Sequence, residues 1–170
     1  SFGRPVVAWP EMREAAAHHA ARAGEKLRAE GLVAGRLMVF LHTNPHNGDP
    51  WHSAQHGGRI EPTADTAALI DEALRMLRPL WRQGFRYFKV GVVLDDLRDA
   101  EAEPRSMFPT RDPDRSARLM AALDAVNARY GRGALRPLAT GIARPWGTRH
   151  GRLSPRYTTR ADEMLQATAW

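Results

Sequence analysis

The chain has 170 residues, no cysteine and a formal net charge of +6. That length accommodates one domain with an appendage, the missing cysteines exclude a disulfide framework or thiolate metal site and suit a reducing cytoplasm, and no apolar run approaches the 18 or so residues that cross a bilayer. The positive charge is gathered late: residues 1–99 carry 13 Lys+Arg against 12 Asp+Glu, residues 100–124 carry 4 against 5, and residues 125–170 carry 8 against 2.

The text opens on Ser1 rather than Met, inside an extended segment, as a piece cut from a longer protein would, and without a signal-peptide pattern. In SFGRPVV, Pro5 cannot donate to a ladder, so residues 1–7 read as an edge strand. Trp9-Pro10-Glu11 then opens a helix, with Pro in the first turn and an acid near the positive end of the dipole. Met12, Ala16, His19, Ala23 and Leu27 recur at helical spacing, and Gly31 stops the run.

Residues 32–43 alternate as a second strand, with Leu37, Val39 and Leu41 in one row and Arg36, Met38, Phe40 and His42 in the other. A loop rich in turn residues, 44–58, leads to a short third strand around Arg59 to Glu61. His42, His46, His52 and His56 gather in this region. A zinc site would need such ligands at about 2.0 to 2.1 Å on a firm frame, and the loop offers none, so no metal site is assigned.

Thr63 or Asp65 caps a second helix, with Leu69, Ile70, Ala73, Leu74 and Leu77 as its buried stripe and Pro79 ending or kinking it. The strand that follows, GFRYFKVGVVLDDL, puts Phe88, Val90, Val92 and Leu94 on one face and Tyr87, Lys89, Gly91 and Val93 on the other. The second set joins a cation, an aromatic edge and a glycine that admits a close backbone, a combination suited to a phosphate chain. The order of elements implies an α+β fold: a four-stranded sheet in βαββαβ order, both helices on one face and the other face free to bind.

Residues 100–111 are charged and proline-bearing, a linker in which Met107-Phe108 is the apolar pair and a candidate docking peptide. Asp112-Pro113 starts a third helix with Leu119, Met120, Leu123, Val126 and Tyr130 inward and Gly131 as its stop. Beyond it lies an irregular basic tail, where Arg144, Arg149, Arg152, Arg156 and Arg160 form a candidate polyanion strip and Trp146 and Tyr157 are the rings that would pin it.

SFGRPV, LVAGRLMVFLHTNP, EPTADTAALIDEALRMLRPLWRQGFRYFKVGVVLDDL, DPDRSARLMAALDAVNARYGRGAL and RLSPRYTTRADEM together resemble the C-terminal part of the UmuC-type Y-family DNA polymerases, the catalytic subunit of polymerase V. LSPRYTTR and FRYFKVGVVLDDL are the most specific strings. The resemblance implies that residues 1–99 are a little-finger domain gripping template-primer duplex, that 100–111 are a linker, and that 112–170 are the C-terminal extension. It implies error-prone translesion synthesis in the SOS response to DNA damage, in the bacterial cytoplasm at the nucleoid.

Arg4, Arg36, His42, Arg59, Arg86, Tyr87 and Lys89 are the DNA-contacting candidates. Sliding clamp, a UmuD-type accessory subunit and a RecA-type filament are the protein partners the resemblance implies. The family's clamp peptide is Gln, two residues, then Leu-Phe; Met107-Phe108 fits its apolar end, with Pro104 in place of Gln. The family's catalytic carboxylates and their Mg belong to a palm domain outside this chain, so the chain alone is expected to be non-catalytic and to hold no cofactor. Asp95 and Asp96 are not substitutes, because phosphoryl transfer needs two metals on converging carboxylates. The competing reading is a protein-interaction module that recruits the clamp or accessory subunits through the tail and Met107-Phe108.

Overall fold

The computed structural model describes residues 1–104, 110–148, 154–156, 158–160, 162 and 164. Helix α1 (Trp9–Ala29) precedes strands β1 (Leu32–Thr43) and β2 (Ser53–Thr63), then helix α2 (Thr66–Leu77), strand β3 (Tyr87–Asp99) and helix α3 (Pro113–Tyr130). The fold is α+β, with an antiparallel sheet in the order β2-β1-β3 and both α1 and α2 packed on one face.

The sheet has three strands, not four. Residues 1–7 contribute a single bridge, Val6 to Tyr87, because Pro5 has no N–H to give and the chain bends at Gly3-Arg4. Val6 N donates to Tyr87 O (2.8 Å), Tyr87 N returns the bond (3.0 Å), and Phe2 N reaches Phe88 O (2.8 Å). Phe2 and Val6 are both buried, so the segment acts as a plug at the sheet edge. The third strand is also longer than the short piece expected around Arg59, since Ser53 onward pairs with β1 down to His42.

The core forms where Leu37, Val39 and Leu41 of β1 and Val90 of β3 meet the helices. On α1 the buried stripe is Met12, Ala16, Ala20, Gly24 and Leu27, with His19 and Ala23 at its margin. Gly24 is a place where α2 and the segment before it pack tightly on α1: a Cβ there would lie 3.0 Å from Leu69 Cδ1 and 3.4 Å from Ala64 O. Asp65 caps α2, accepting from Ala68 N at 2.8 Å, and Pro79 turns the helix end into a 3₁₀ turn, Arg78–Leu80.

One residue breaks the alternation of β3. Thr43 pairs with Tyr87 while His42 pairs with Lys89, so Phe88 is an extra residue without a partner on β1. That bulge reverses two expectations: Tyr87 turns into the core and is fully buried, whereas Phe88 turns outward and is 37% exposed. Inside, Tyr87 Oη accepts from Arg82 N (3.1 Å) and lies 2.9 Å from His52 Nδ1.

Helix α3 is capped by Asp112, which accepts from Asp114 N and Arg115 N, and stops at Gly131 with φ 96°. Its covered stripe runs through Ser116, Met120, Leu123 and Asn127, whereas Leu119 (56% exposed) and Tyr130 (68% exposed) face away, contrary to expectation. The reason is how little it touches. Arg28 on α1 forks onto Asp124 (both contacts 2.7 Å), the Ser116 hydroxyl donates to Asp65, and Met120 Sδ accepts from Thr66 N (3.3 Å), with a groove of about 690 Å³ between α3 and the sheet edge.

From Gly131 the chain returns along α1, held by Asn127, whose amide exchanges hydrogen bonds with the Leu135 backbone at 2.9 Å each way. After a 3₁₀ turn at Leu138–Thr140, Trp146 is buried against Phe2, His18 and His19 with ring centroids 6.0, 5.7 and 6.2 Å away. Gly3 N donates to Trp146 O at 3.0 Å, which joins the extension to the first residues of the chain. Among the described residues no helix is long and apolar enough to cross a membrane.

Candidate nucleic-acid interface

The face of the sheet opposite the helices is built in four rows across β2, β1 and β3. The register places Arg59, Arg36 and Asp95 in the first row, Gly57, Met38 and Val93 in the second, Gln55, Phe40 and Gly91 in the third, and Ser53, His42 and Lys89 in the fourth. The rows arise because β1 keeps strict alternation from Arg36 to His42 and its neighbours follow. Cations therefore sit at the two ends, with an apolar and small-residue band between.

Arg36 and Arg59 are exposed and lie directly opposite one another on paired strands, where like charges cost stability. Neither has an ion pair among the described residues. Asp95 is across from Arg36 on the other side, and the neighbouring Asp96 is occupied by Arg98, whose Nη2 and Nε lie 2.8 and 3.1 Å from its oxygens. Those hydrogen bonds hold the Asp96 carboxyl below the usual range. Asp95 and Asp96 do not converge with a third acid or imidazole, and no group of three such residues among those described could hold a metal.

At the other end Phe40 organises the surface. Its ring stacks on His42 (5.2 Å, 22° between planes) and lies under Lys89 Nζ at 5.4 Å. It also fills the room above Gly91, where a Cβ would run into the ring, so this glycine admits a neighbouring side chain and not a foreign backbone. His42 is lowered in pKa, by burial first and by the Lys89 charge second, so it presents a neutral ring near pH 7.

The other candidates are placed elsewhere. Arg4 is drawn to α1 by Glu11 (2.6 Å) and does not join the open face. Arg86 pairs with Asp49 of the β1–β2 loop at 3.0 Å, and Tyr87 is inside the core, which withdraws it from any surface contact. The four loop histidines separate: His52 is a core residue hydrogen-bonded to Tyr87, with its pKa lowered by burial and then by Arg82, while His46 and His56 are exposed.

Met107, Phe108, Arg149, Arg152 and Tyr157 lie outside the described residues. Arg144 is exposed on the extension, and Arg160 pairs with Asp162 at 2.7 Å. The residue that sequence reasoning left out is Phe40, whose parity with Arg36 and His42 was its only signal.

The sequence matches the impB/mucB/samB family C-terminal domain over residues 1–107. The chain belongs to that family. Residues 117–167 match a second pattern, described as a domain of unknown function, DUF4113. Among the relatives, Protein UmuC of Salmonella typhimurium is 36% identical over 169 residues, covering 98% of this chain and 40% of its own length. Protein SamB of Salmonella typhimurium is 36% identical over 170 residues, with the same two coverages, and Protein MucB of Escherichia coli is 34% identical over 161 residues, covering 94% and 38%. The chain thus corresponds to the C-terminal part of UmuC-type proteins and spans about two fifths of their length.

Proposed function

We propose that residues 1–99 are the little-finger domain of a translesion DNA polymerase of the UmuC type, and that they grip template-primer duplex through its phosphates while chemistry occurs in domains outside this chain. The observation that carries the reading is the helix-free sheet face, with Arg36 and Arg59, neither ion-paired among the described residues, at one end and Lys89 with His42 at the other. Six steps along β1, from Arg36 to His42, separate the ends by roughly 20 Å, so they would meet phosphates several nucleotides apart. The band between them offers few hydrogen-bonding groups: Gln55 is its polar side chain, while Gly57, Gly91, Met38, Val93 and Phe40 read no base edges, which suits a module that must accept most sequences.

The parent protein is then a DNA-directed DNA polymerase of the SOS response, with Mg held by its palm. A UmuD-type subunit, a RecA-type filament and the sliding clamp remain its proposed partners, the last through Met107-Phe108. Residues 112–148 support a duplex grip indirectly: their hydrogen bonds and ring contacts run to α1, the start of α2 and residues 1–3, and none runs to the four rows of the open face.

The test is the salt dependence of duplex binding by the chain. Each phosphate contact contributes about 0.9 to the slope of log K against log salt. Arg36→Glu with Lys89→Glu should flatten that slope by about two units, without preference for one duplex sequence over another. An unchanged slope removes the open face from the interface.

A further inference from the structure

A second cationic site lies on the opposite side of the molecule, where the extension folds back on α1. The cleft holds about 220 Å³ and is lined by His18, Arg22, Glu25, Arg132, Arg136 and Arg144, among others. Arg28 also reaches it, but its guanidinium is already spent on Asp124, Ala64 O and Thr66 Oγ1. That leaves four arginines facing one carboxylate. Glu25 serves both Arg22 and Arg132 (3.5 Å), Arg136 donates to Ile142 O (2.8 Å), and Arg144 has no acid within ion-pair distance among the described residues.

Elements far apart in sequence supply these cations: Arg22 comes from the middle of α1, Arg132 from the turn after α3, Arg136 and Arg144 from either side of the 3₁₀ turn. Folding brings them together against an excess of three positive charges, at a cost that an anion would relieve. Guanidinium forks on several sides of a small cleft match the geometry of a tetrahedral oxyanion. Thr140 and Asn127 lie in the same lining, but their hydroxyl and amide are already bonded to Pro137 O and to the Leu135 backbone.

We propose that this cleft binds a phosphate group, held by Arg22, Arg132, Arg136 and Arg144. It is separate from the open face of the sheet, because α1 and the core lie between them. The phosphate can come from a free pyrophosphate-like ligand or from the backbone of a nucleic-acid strand, and the shared chemistry is a multiply charged oxyanion.

His18 is a reporter built into the site. Its pKa is lowered to about 4, by burial first and then by Arg144, His19, Arg22 and Arg136. An anion seated among those arginines should raise it by about a unit or more. The experiment follows the His18 ring proton by NMR through acid titration of the full chain, in chloride, in sodium pyrophosphate and with a single-stranded oligonucleotide, at one ionic strength.

A rise with pyrophosphate supports the site. The same rise with the oligonucleotide assigns the phosphate to a strand, and a rise with pyrophosphate alone assigns it to a free ligand. No movement with either probe overturns the proposal. Arg132→Gln with Arg144→Gln, two exposed positions, should weaken the pyrophosphate response at least tenfold at an unchanged melting temperature. A full response in that variant also overturns it, and if the variant does not fold, the wild-type titration decides alone.

Discussion

At Tyr87 a single hydroxyl answers two polar groups that the core would otherwise leave unpartnered, the Arg82 N–H at 3.1 Å and the His52 ring nitrogen at 2.9 Å. Tyr87→Phe keeps the ring packing with Trp81 and Phe85 but orphans both, at about 1–3 kcal/mol. For a chain of this size each kcal/mol is about 2–4 °C in melting temperature, so a fall of that order is expected by calorimetry. A melting point within error of wild type would mean that water serves the two groups equally well. The residue also marks the limit of parity reasoning. Alternation placed Arg36, His42, Arg59 and Lys89 correctly because β1 is regular between them, but a bulge inserts a residue without a sequence signal of its own, so Tyr87 and Phe88 exchange faces while Lys89 onward keeps the expected one.

The helices were readable from their ends. Pro10, Asp65, Asp112 and Gly131 each do a local chemical task that a short stretch of text reveals: a fixed φ, a side-chain acceptor or a positive φ. Strand β2 was less readable, since Gln55, His56, Gly57 and Gly58 carry no alternation, and only pairing with β1 makes them a strand. A tight contact between the helices also depends on a residue that propensity alone would disfavour. Gly24 lets Leu69 and Ala64 approach α1, so Gly24→Val should overpack the junction by about 1–3 kcal/mol, whereas Gly24→Ala, which gains helix propensity, should change little. Thermal melts of the two variants check this; equal stability would show that α1 and α2 can slide apart freely.

Across the whole molecule, the extension is fastened by rings. Trp146 packs on Phe2, His18 and His19, and its Nε1 finds no acceptor among the described residues, so shape rather than a hydrogen bond holds it. Trp146→Ala should speed amide hydrogen exchange over residues 131–148 while β1 and α2 stay protected, and Trp146→Phe should largely preserve protection. Equal protection in all three would place the anchor elsewhere. That Trp146 would pin the tail was legible from its apolar ring in a basic segment, but its partners were not, because they lie more than a hundred positions away and no local period announces them. The edge of β3 has a consequence for how copies of the chain behave in company. Residues 1–7 hydrogen-bond it only at Tyr87 and Phe88, so among the described residues the outer edge of a thirteen-residue strand runs on past them with exposed Val93 and Leu97 beside it, the kind of border along which proteins zip into aggregates. Asp96, held at φ 52° where few residues other than glycine or asparagine settle, twists that border, and Lys89, Asp95, Arg98 and Asp99 put charge along it. A positive φ and a fringe of charge along this border oppose edge-to-edge pairing of one copy with the next.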